Sequence, residues 1–298
     1  MSPALPPAFV SRMRAQLGEE ADAYFAAMEM PCLRGLRLNP QKPVSDAALE
    51  AVGGVEEPVP WYPALGRYLR NDSPAGADPL HEAGAYYLQE PSAMAPVSVL
   101  SPRPGECVLD LCAAPGGKST QIAAALAGEG LLVSNEPVPS RAKILSRNIE
   151  RMGVANALVV SAQPEALAAR WGVLFDAVLV DAPCSGLGIL AKKPDIRYKT
   201  LEKARHDELL ATQSAILDTA AAHLKEGGRL VYSTCTIDPA ENEEQVRAFV
   251  GRHPEFRVVT PDVRFPAGMT VGDWGALSVP TRTSMDGFFL CAMQKRDS

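Results

Sequence analysis

The 298-residue chain has no run of eighteen apolar residues, so no segment is long enough to cross a bilayer as a helix. Its N-terminus lacks the basic start and apolar stretch of a secretory signal, and the expected location is the cytoplasm. The six cysteines, at positions 32, 107, 112, 184, 235 and 291, contain no Cys-x-x-Cys pair and no dense spacing. This argues against a disulfide-stapled scaffold and against a zinc site; no metal is expected, and free thiols are, with Cys32, Cys107 and Cys291 as buried core residues. Nor is there an excess of positive charge. Twenty-nine Lys and Arg face 35 Asp and Glu, a net charge of −6, which disfavours indiscriminate phosphate binding. Any nucleic-acid role must rest on local patches, with acids gathered elsewhere, as at Glu241, Glu243 and Glu244.

What is present is an ordinary folded composition, 47% hydrophobic and 21% charged. Fifteen of the 26 prolines fall in the first 104 residues, so that part is loop-rich. Apolar residues at helical spacing from Phe9 to Met28, a basic stretch through Arg34 and Arg37, and the turn-prone Asn39-Pro40 predict a small α+β N-terminal domain. The Pro/Gly/Asp-rich stretch Glu56 to Leu80 reads as a connection packed on the main domain by Trp61, Tyr62 and Tyr68. The expected division is an accessory domain with its linker at 1–80 and a catalytic domain at 81–298. From Gly105 short apolar runs alternate with helical stretches, the pattern of β-α units around a mainly parallel sheet. Strands are expected at Cys107 to Leu111, Leu131 to Ser134, Leu158 to Val160, Ala177 to Val180 and Leu230 to Tyr232. Helices are expected at Lys118 to Leu126, Pro139 to Met152, Lys203 to Leu224 and Ala240 to Gly251, and a last strand at Phe288 to Ala292 after the turn Asp286-Gly287.

Three turns at the ends of these strands carry chemistry. Asp110-Leu111-Cys112-Ala113-Ala114-Pro115-Gly116-Gly117-Lys118-Ser119-Thr120 lies between a strand and a helix, where open α/β sheets bind ligands and a helix N-terminus faces an anion. Its Gly117-Lys118-Ser119 imitates a P-loop NTPase. Against that reading, Cys112 stands where the first P-loop glycine belongs, and Pro115 removes an N–H that a phosphate cradle needs. Gly-x-Gly-x-x-Gly is absent. Glu136, at the end of the second strand, is placed to accept hydrogen bonds from ribose hydroxyls. Asp181-Ala182-Pro183-Cys184-Ser185-Gly186 and Tyr232-Ser233-Thr234-Cys235-Thr236 each set a Cys just beyond a strand, so two thiols and an acid face one crevice. Thiolate is the best side-chain nucleophile available.

The DLCAAPGGKST turn, the DAPCSG turn and the STCT turn together resemble the Sun-type family of RNA (cytosine-5) methyltransferases. The resemblance runs from Arg37-Leu38-Asn39 through Tyr87-Leu88-Gln89-Glu90-Pro91-Ser92-Ala93-Met94 to Asp286-Gly287-Phe288-Phe289, most of the chain. It implies a Rossmann-like α/β methyltransferase sheet that uses S-adenosyl-L-methionine. It assigns the methyl donor to Cys112, Ala113, Ala114, Pro115, Gly116, Gly117, Lys118, Glu136 and Asp181. A further contact falls at Gln163, where the family usually has an acid; an amide still donates and accepts. By the same resemblance Cys235 is the nucleophile that adds to cytosine carbon 6, Asp181 stabilises the activated ring, and Cys184 assists product release.

The stretch His81 to Val97 resembles the bacterial ribosomal RNA members, which makes 16S ribosomal RNA the expected substrate and transfer RNA the second choice. Gly186-Leu187-Gly188-Ile189-Leu190 with Lys193-Pro194-Asp195-Ile196-Arg197 looks closer to another ribosomal branch. With Ser298 following soon after the last expected strand, the C-terminal RNA-binding extension that some ribosomal members carry is not expected in this sequence. Lys192 to Arg205 holds six bases against two acids, so Lys192, Lys193 and Arg197 are expected to meet phosphates, Tyr198 to stack on a base, and Arg37 to extend the track. A monomer is expected. A non-catalytic RNA-binding protein with the same fold is the alternative from another class, and the intact Cys235, Cys184 and Asp181 argue against it.

Overall fold

The computed structural model describes residues 5–163, 166–167, 172–199, 202–265, 268–283 and 285–297. Two sheets organise it. The first is antiparallel, from β1 (Arg34–Leu38), β2 (Val55–Pro58), β3 (Gly66–Leu69) and β4 (Tyr86–Leu88), in the order β2-β3-β1-β4. The stretch Glu56 to Leu80 is therefore not simply a connection. Val55 and Pro58 pair with Leu69 and Arg67 around a register shift, and Leu36, Val52, Leu69 and Tyr86 form a small core beneath. The three aromatics do pack as expected: Trp61 is buried in the main core, with Tyr62 and Tyr68 against it.

The second sheet runs β7 (Ala157–Val160), β6 (Leu131–Asn135), β5 (Cys107–Asp110), β8 (Phe175–Asp181), β9 (Leu224–Thr234), β13 (Phe288–Lys295), then β12 (Gly275–Ser278) and β11 (Thr270–Gly272), with β10 (Phe256–Val259) also on β13. Strands β5 to β9 are mutually parallel, and β13 enters antiparallel beside β9. This is the expected Rossmann-like α/β architecture. Strands β5 and β8 are covered on both faces, so Val108, Leu109, Val178, Leu179 and Val180 are fully buried and read as continuous apolar runs. The helix Lys203–His223 buries Gln213, Ile216, Leu217 and Ala220, one face at i, i+3, i+4 and i+7 spacing. Each buried Leu or Ile contributes about 1.5–3 kcal/mol of transfer free energy.

Two expectations are corrected here. The helix read from Ala240 begins only at Glu243, because the Asp238 carboxylate accepts from the Ala240 amide (3.1 Å) and its carbonyl from the Glu241 amide (3.1 Å), spending residues 238–242 on turns. Of the three cysteines expected in the core, Cys291 is buried, whereas Cys32 and Cys107 are only half-buried. No helix among the described residues is long and apolar enough to cross a membrane.

Candidate active site

Parallel strands end on one edge, and that edge carries the site. Register pairs Asp110 with Ser134 and Asp181 with Ser233, so the turns after β5, β6, β8 and β9 lie side by side. The turn after β5 is built from backbone. Gly116 has φ +114°, a left-handed conformation, and a Cβ there would stand 3.1 Å from Leu145. The helix Gly117–Leu126 starts at once, without a side-chain cap, leaving its first amides for an incoming group. Ser119 Oγ donates to Asp110 Oδ2 (2.7 Å), while Oδ1 is buried without a partner. Burial pushes the Asp110 carboxyl up to about 7. Burial, helped by the charges of Asp110, Asp181 and Glu136, also holds the Cys112 thiol well above its usual range.

An uncapped helix start and an orphaned carboxylate oxygen fit a methyl donor that presents a carboxylate and an ammonium group. Glu136 sits at the end of β6, where a ribose would lie, but it is 1% exposed. Its Oε1 accepts from the Val138 amide (3.0 Å) and its Oε2 pairs with Arg141 (3.1 Å). It therefore serves a ribose only through its remaining lone pairs or by releasing Arg141. Gln163 lies exposed just beyond β7, on the same edge.

The turns after β8 and β9 are built from side chains. Cys184 Sγ and Cys235 Sγ stand 2.8 Å apart, and the Cys235 amide reaches Cys184 Sγ at 3.3 Å. The hydrogen bond to Cys235, burial and the Cys235 charge together hold Cys184 well above the usual thiol range. Cys184 is thus disposed to keep its proton. Lys118 Nζ binds Asp181 Oδ2 at 2.7 Å, and Ser233 Oγ binds Oδ1 at 2.8 Å. Burial opposes the Lys118 charge, but Asp181 outweighs it and the Lys118 pKa is raised. Cys235, Asp181 and Lys118 line one pocket with Glu90, Ser233 and Asp286.

Remote segments hold these two turns. Glu241, grouped with surface acids in the sequence, is fully buried: Oε2 accepts from the Ser185 amide (2.8 Å) and Gln213 Nε2 (2.9 Å), and its carbonyl from Tyr232 OH (2.7 Å). His206 approaches Asp238 and Glu241 at 3.2 and 3.8 Å, and Arg12 pairs with Asp238. The helices Pro7–Leu17 and Ala21–Ala27 pack Phe9, Met13 and Tyr24 on Leu187, Leu190 and Ile237, and Tyr24 OH donates to the Leu187 carbonyl (2.5 Å). Gly188 donates to the Cys235 carbonyl (3.0 Å) and accepts from the Gly287 amide (2.8 Å). A Cβ at Gly188 would lie 1.8 Å from the Gly287 oxygen.

The expected basic track is only partly a surface. Lys193 and Tyr198 are exposed. Lys192 is bound to Asp286 at 2.5 Å, and Arg197 is buried. Arg37 is corrected outright. It is fully buried and donates to Gln89 Oε1 (2.9 Å), Thr120 Oγ1 (2.6 Å) and the Gly117 carbonyl (3.2 Å), tying β1 to the helix after the glycine turn. Glu90, Glu241, Asp286 and Ser233 have structural places at the site that motif reading did not assign. Their one sequence signal was adjacency to the motifs, as with Ser233 in the STCT turn.

Comparison with known proteins shows the family. Residues 97–294 match the family model described as 16S rRNA methyltransferase RsmB/F, and residues 5–91 match the N-terminal domain of 16S rRNA methyltransferase RsmF. Ribosomal RNA small subunit methyltransferase F of Cronobacter sakazakii is 37% identical over 99% of this chain and 64% of its own length. The Escherichia coli protein of the same name is 34% identical over 97% and 63%. The chain thus spans a little under two thirds of these relatives. Among solved structures, a methyltransferase homologue from Pyrococcus horikoshii is 26% identical, with 98% of this chain and 100% of that one covered at a TM-score of 0.79. NSun6 from Pyrococcus horikoshii, solved with SFG, shares the fold at 20% identity and a TM-score of 0.83, over 98% and 99% of the two chains. By these matches the chain belongs to the 16S rRNA methyltransferase RsmB/F family.

Proposed function

We propose that this protein transfers a methyl group to carbon 5 of a cytidine in 16S ribosomal RNA, with transfer RNA as the second candidate, acting as a cytoplasmic monomer. The observation that carries the reading is Cys235, 2.8 Å from Cys184, lining one pocket with the Lys118–Asp181 ion pair at the end of β8 and β9. The names of the relatives support ribosomal RNA as the substrate.

S-adenosylmethionine, held by the turn Cys112 to Lys118 with Glu136, Gln163 and Asp181, supplies an electrophilic methyl group. Cys235 adds to carbon 6 of the cytosine as a thiolate, which makes carbon 5 nucleophilic. Lys118 lines the pocket with Asp181 and Cys235, and Asp181 is held by Lys118 and Ser233 where it meets the ring's nitrogen edge. Cys184, in hydrogen-bond contact with the Cys235 sulfur, assists its departure: as a base removes the carbon 5 proton, the C5–H electrons re-form the 5,6 double bond and expel the Cys235 thiolate. Lys193 and Tyr198 are among the exposed residues of the basic stretch and are available to RNA.

Mass analysis of ribosomal RNA from cells with and without the protein tests the reading. A single 5-methylcytidine lost with the gene and restored by the purified chain is expected. Unchanged 5-methylcytidine in 16S RNA sends the search to transfer RNA.

A further inference from the structure

One acid that lines the pocket holding Cys235 has a carboxyl oxygen with nothing to bind. Glu90 follows β4, in the segment that joins the N-terminal sheet to the catalytic sheet, and it lines the pocket with Lys118, Asp181, Cys235 and Asp286. Its Oε2 is held from behind by Ser92 Oγ and by the Ala93 amide at 3.1 Å. Its Oε1 is inaccessible to water and has no hydrogen-bond partner. A buried acceptor left unpaired costs about 1–3 kcal/mol, so the site stores a demand for a donor. The two acids beside it each have a side-chain donor already, Asp181 from Lys118 and Ser233 and Asp286 from Lys192, with lone pairs to spare.

We propose that Glu90 is a base-reading residue whose Oε1 accepts a hydrogen bond from the exocyclic 4-amino group of the target cytosine. This rests on the pocket being the cytosine site of the function proposed above. The amino group is the donor that distinguishes cytosine from uracil, which presents an acceptor at the same position, and a carboxylate is its natural partner. Burial pushes Glu90 up to about 7, with Asp286 adding to the shift and Lys192 opposing it. The arrival of a donor at Oε1 relieves the same penalty, so recognition and ionisation of Glu90 are coupled.

The experiment measures kcat/KM for methylation of two RNAs that differ only at the target, one with cytidine and one with its 4-deamino analogue, 2-pyrimidinone riboside. The full chain, Glu90→Ala and Glu90→Gln are compared. The wild-type preference for cytidine should fall about 10- to 100-fold in Glu90→Ala, the range of a lost hydrogen bond to a charged acceptor. In Glu90→Gln, which keeps one neutral acceptor oxygen, it should fall about 3- to 10-fold. S-adenosylmethionine affinity should stay within about twofold in both. A merely structural role for Glu90 slows both RNAs equally, and an unchanged preference in either folded variant overturns the proposal. Failure of the wild-type protein to methylate the cytidine RNA overturns the functional reading instead, and this inference with it.

Discussion

The two halves of the strand edge are constructed differently. At β5 and β6 the chain makes its crevice from consecutive residues: a left-handed Gly116, an uncapped helix start and an acid at the next strand end. At β8 and β9 the two thiol turns are short and polar, and their positions come from Glu241, the N-terminal helices and the Gly188–Gly287 contact. A crevice made of local backbone can be read directly from a motif. A pocket made by long-range contacts shows only its chemistry in the sequence, and the scaffold that sets its geometry is dispersed.

That contrast can be broken or sharpened by substitution, the largest effect coming first. Gly188→Ala places a methyl group inside the Gly287 carbonyl and should displace both thiol turns. We expect a loss of about 4 kcal/mol in chemical denaturation, with methyl transfer falling in parallel. A variant of wild-type stability would show that the β9 turn is not held from β13.

Arg37→Met removes the bridge between the sheets and should cost about 3 kcal/mol, because Gln89 and Thr120 lose a charged donor in a buried site. It should leave the salt dependence of RNA binding unchanged. Lys193→Glu should do the opposite, keeping stability and flattening the salt slope. An exchange of these outcomes would return Arg37 to the RNA surface.

Asp110 offers the smallest effect and a test of the backbone-built half. Its folded pKa, about 7, is raised above the unfolded carboxyl value, so the folded state binds more protons between about pH 4 and 7. Stability should therefore decline as pH rises through that window and stay reduced above it. Asp110→Asn keeps an acceptor for Ser119 and removes the decline, so it should be more stable than wild type at pH 8 by about 1–3 kcal/mol. Identical pH profiles of thermal unfolding would show that this carboxyl is not held neutral.

The parallel strands, the crevice and both thiols were legible in the sequence because each rests on a periodic run or a contiguous turn. The N-terminal sheet was not. Its strands are short, and two of them lie inside the Pro- and Gly-rich stretch that reads as a linker. Charge proved the least readable property, because a basic or acidic letter carries no direction. Arg37, Arg197 and Glu241 look like surface residues in the sequence, and all three are buried, Arg37 and Glu241 where hydrogen-bonding partners meet them. The start of the helix at Glu243 was displaced for a related reason, since Asp238 competes for the backbone amides that an earlier start would use.

The central claim is that the paired sulfurs have different tasks, and denaturing electrophoresis of the protein incubated with target RNA and S-adenosylmethionine tests it most directly. Cys184→Ala should accumulate a covalent protein–RNA species, while Cys235→Ala should form none and transfer no methyl group. A covalent species formed by Cys235→Ala and absent from Cys184→Ala would reverse the two roles and contradict the account.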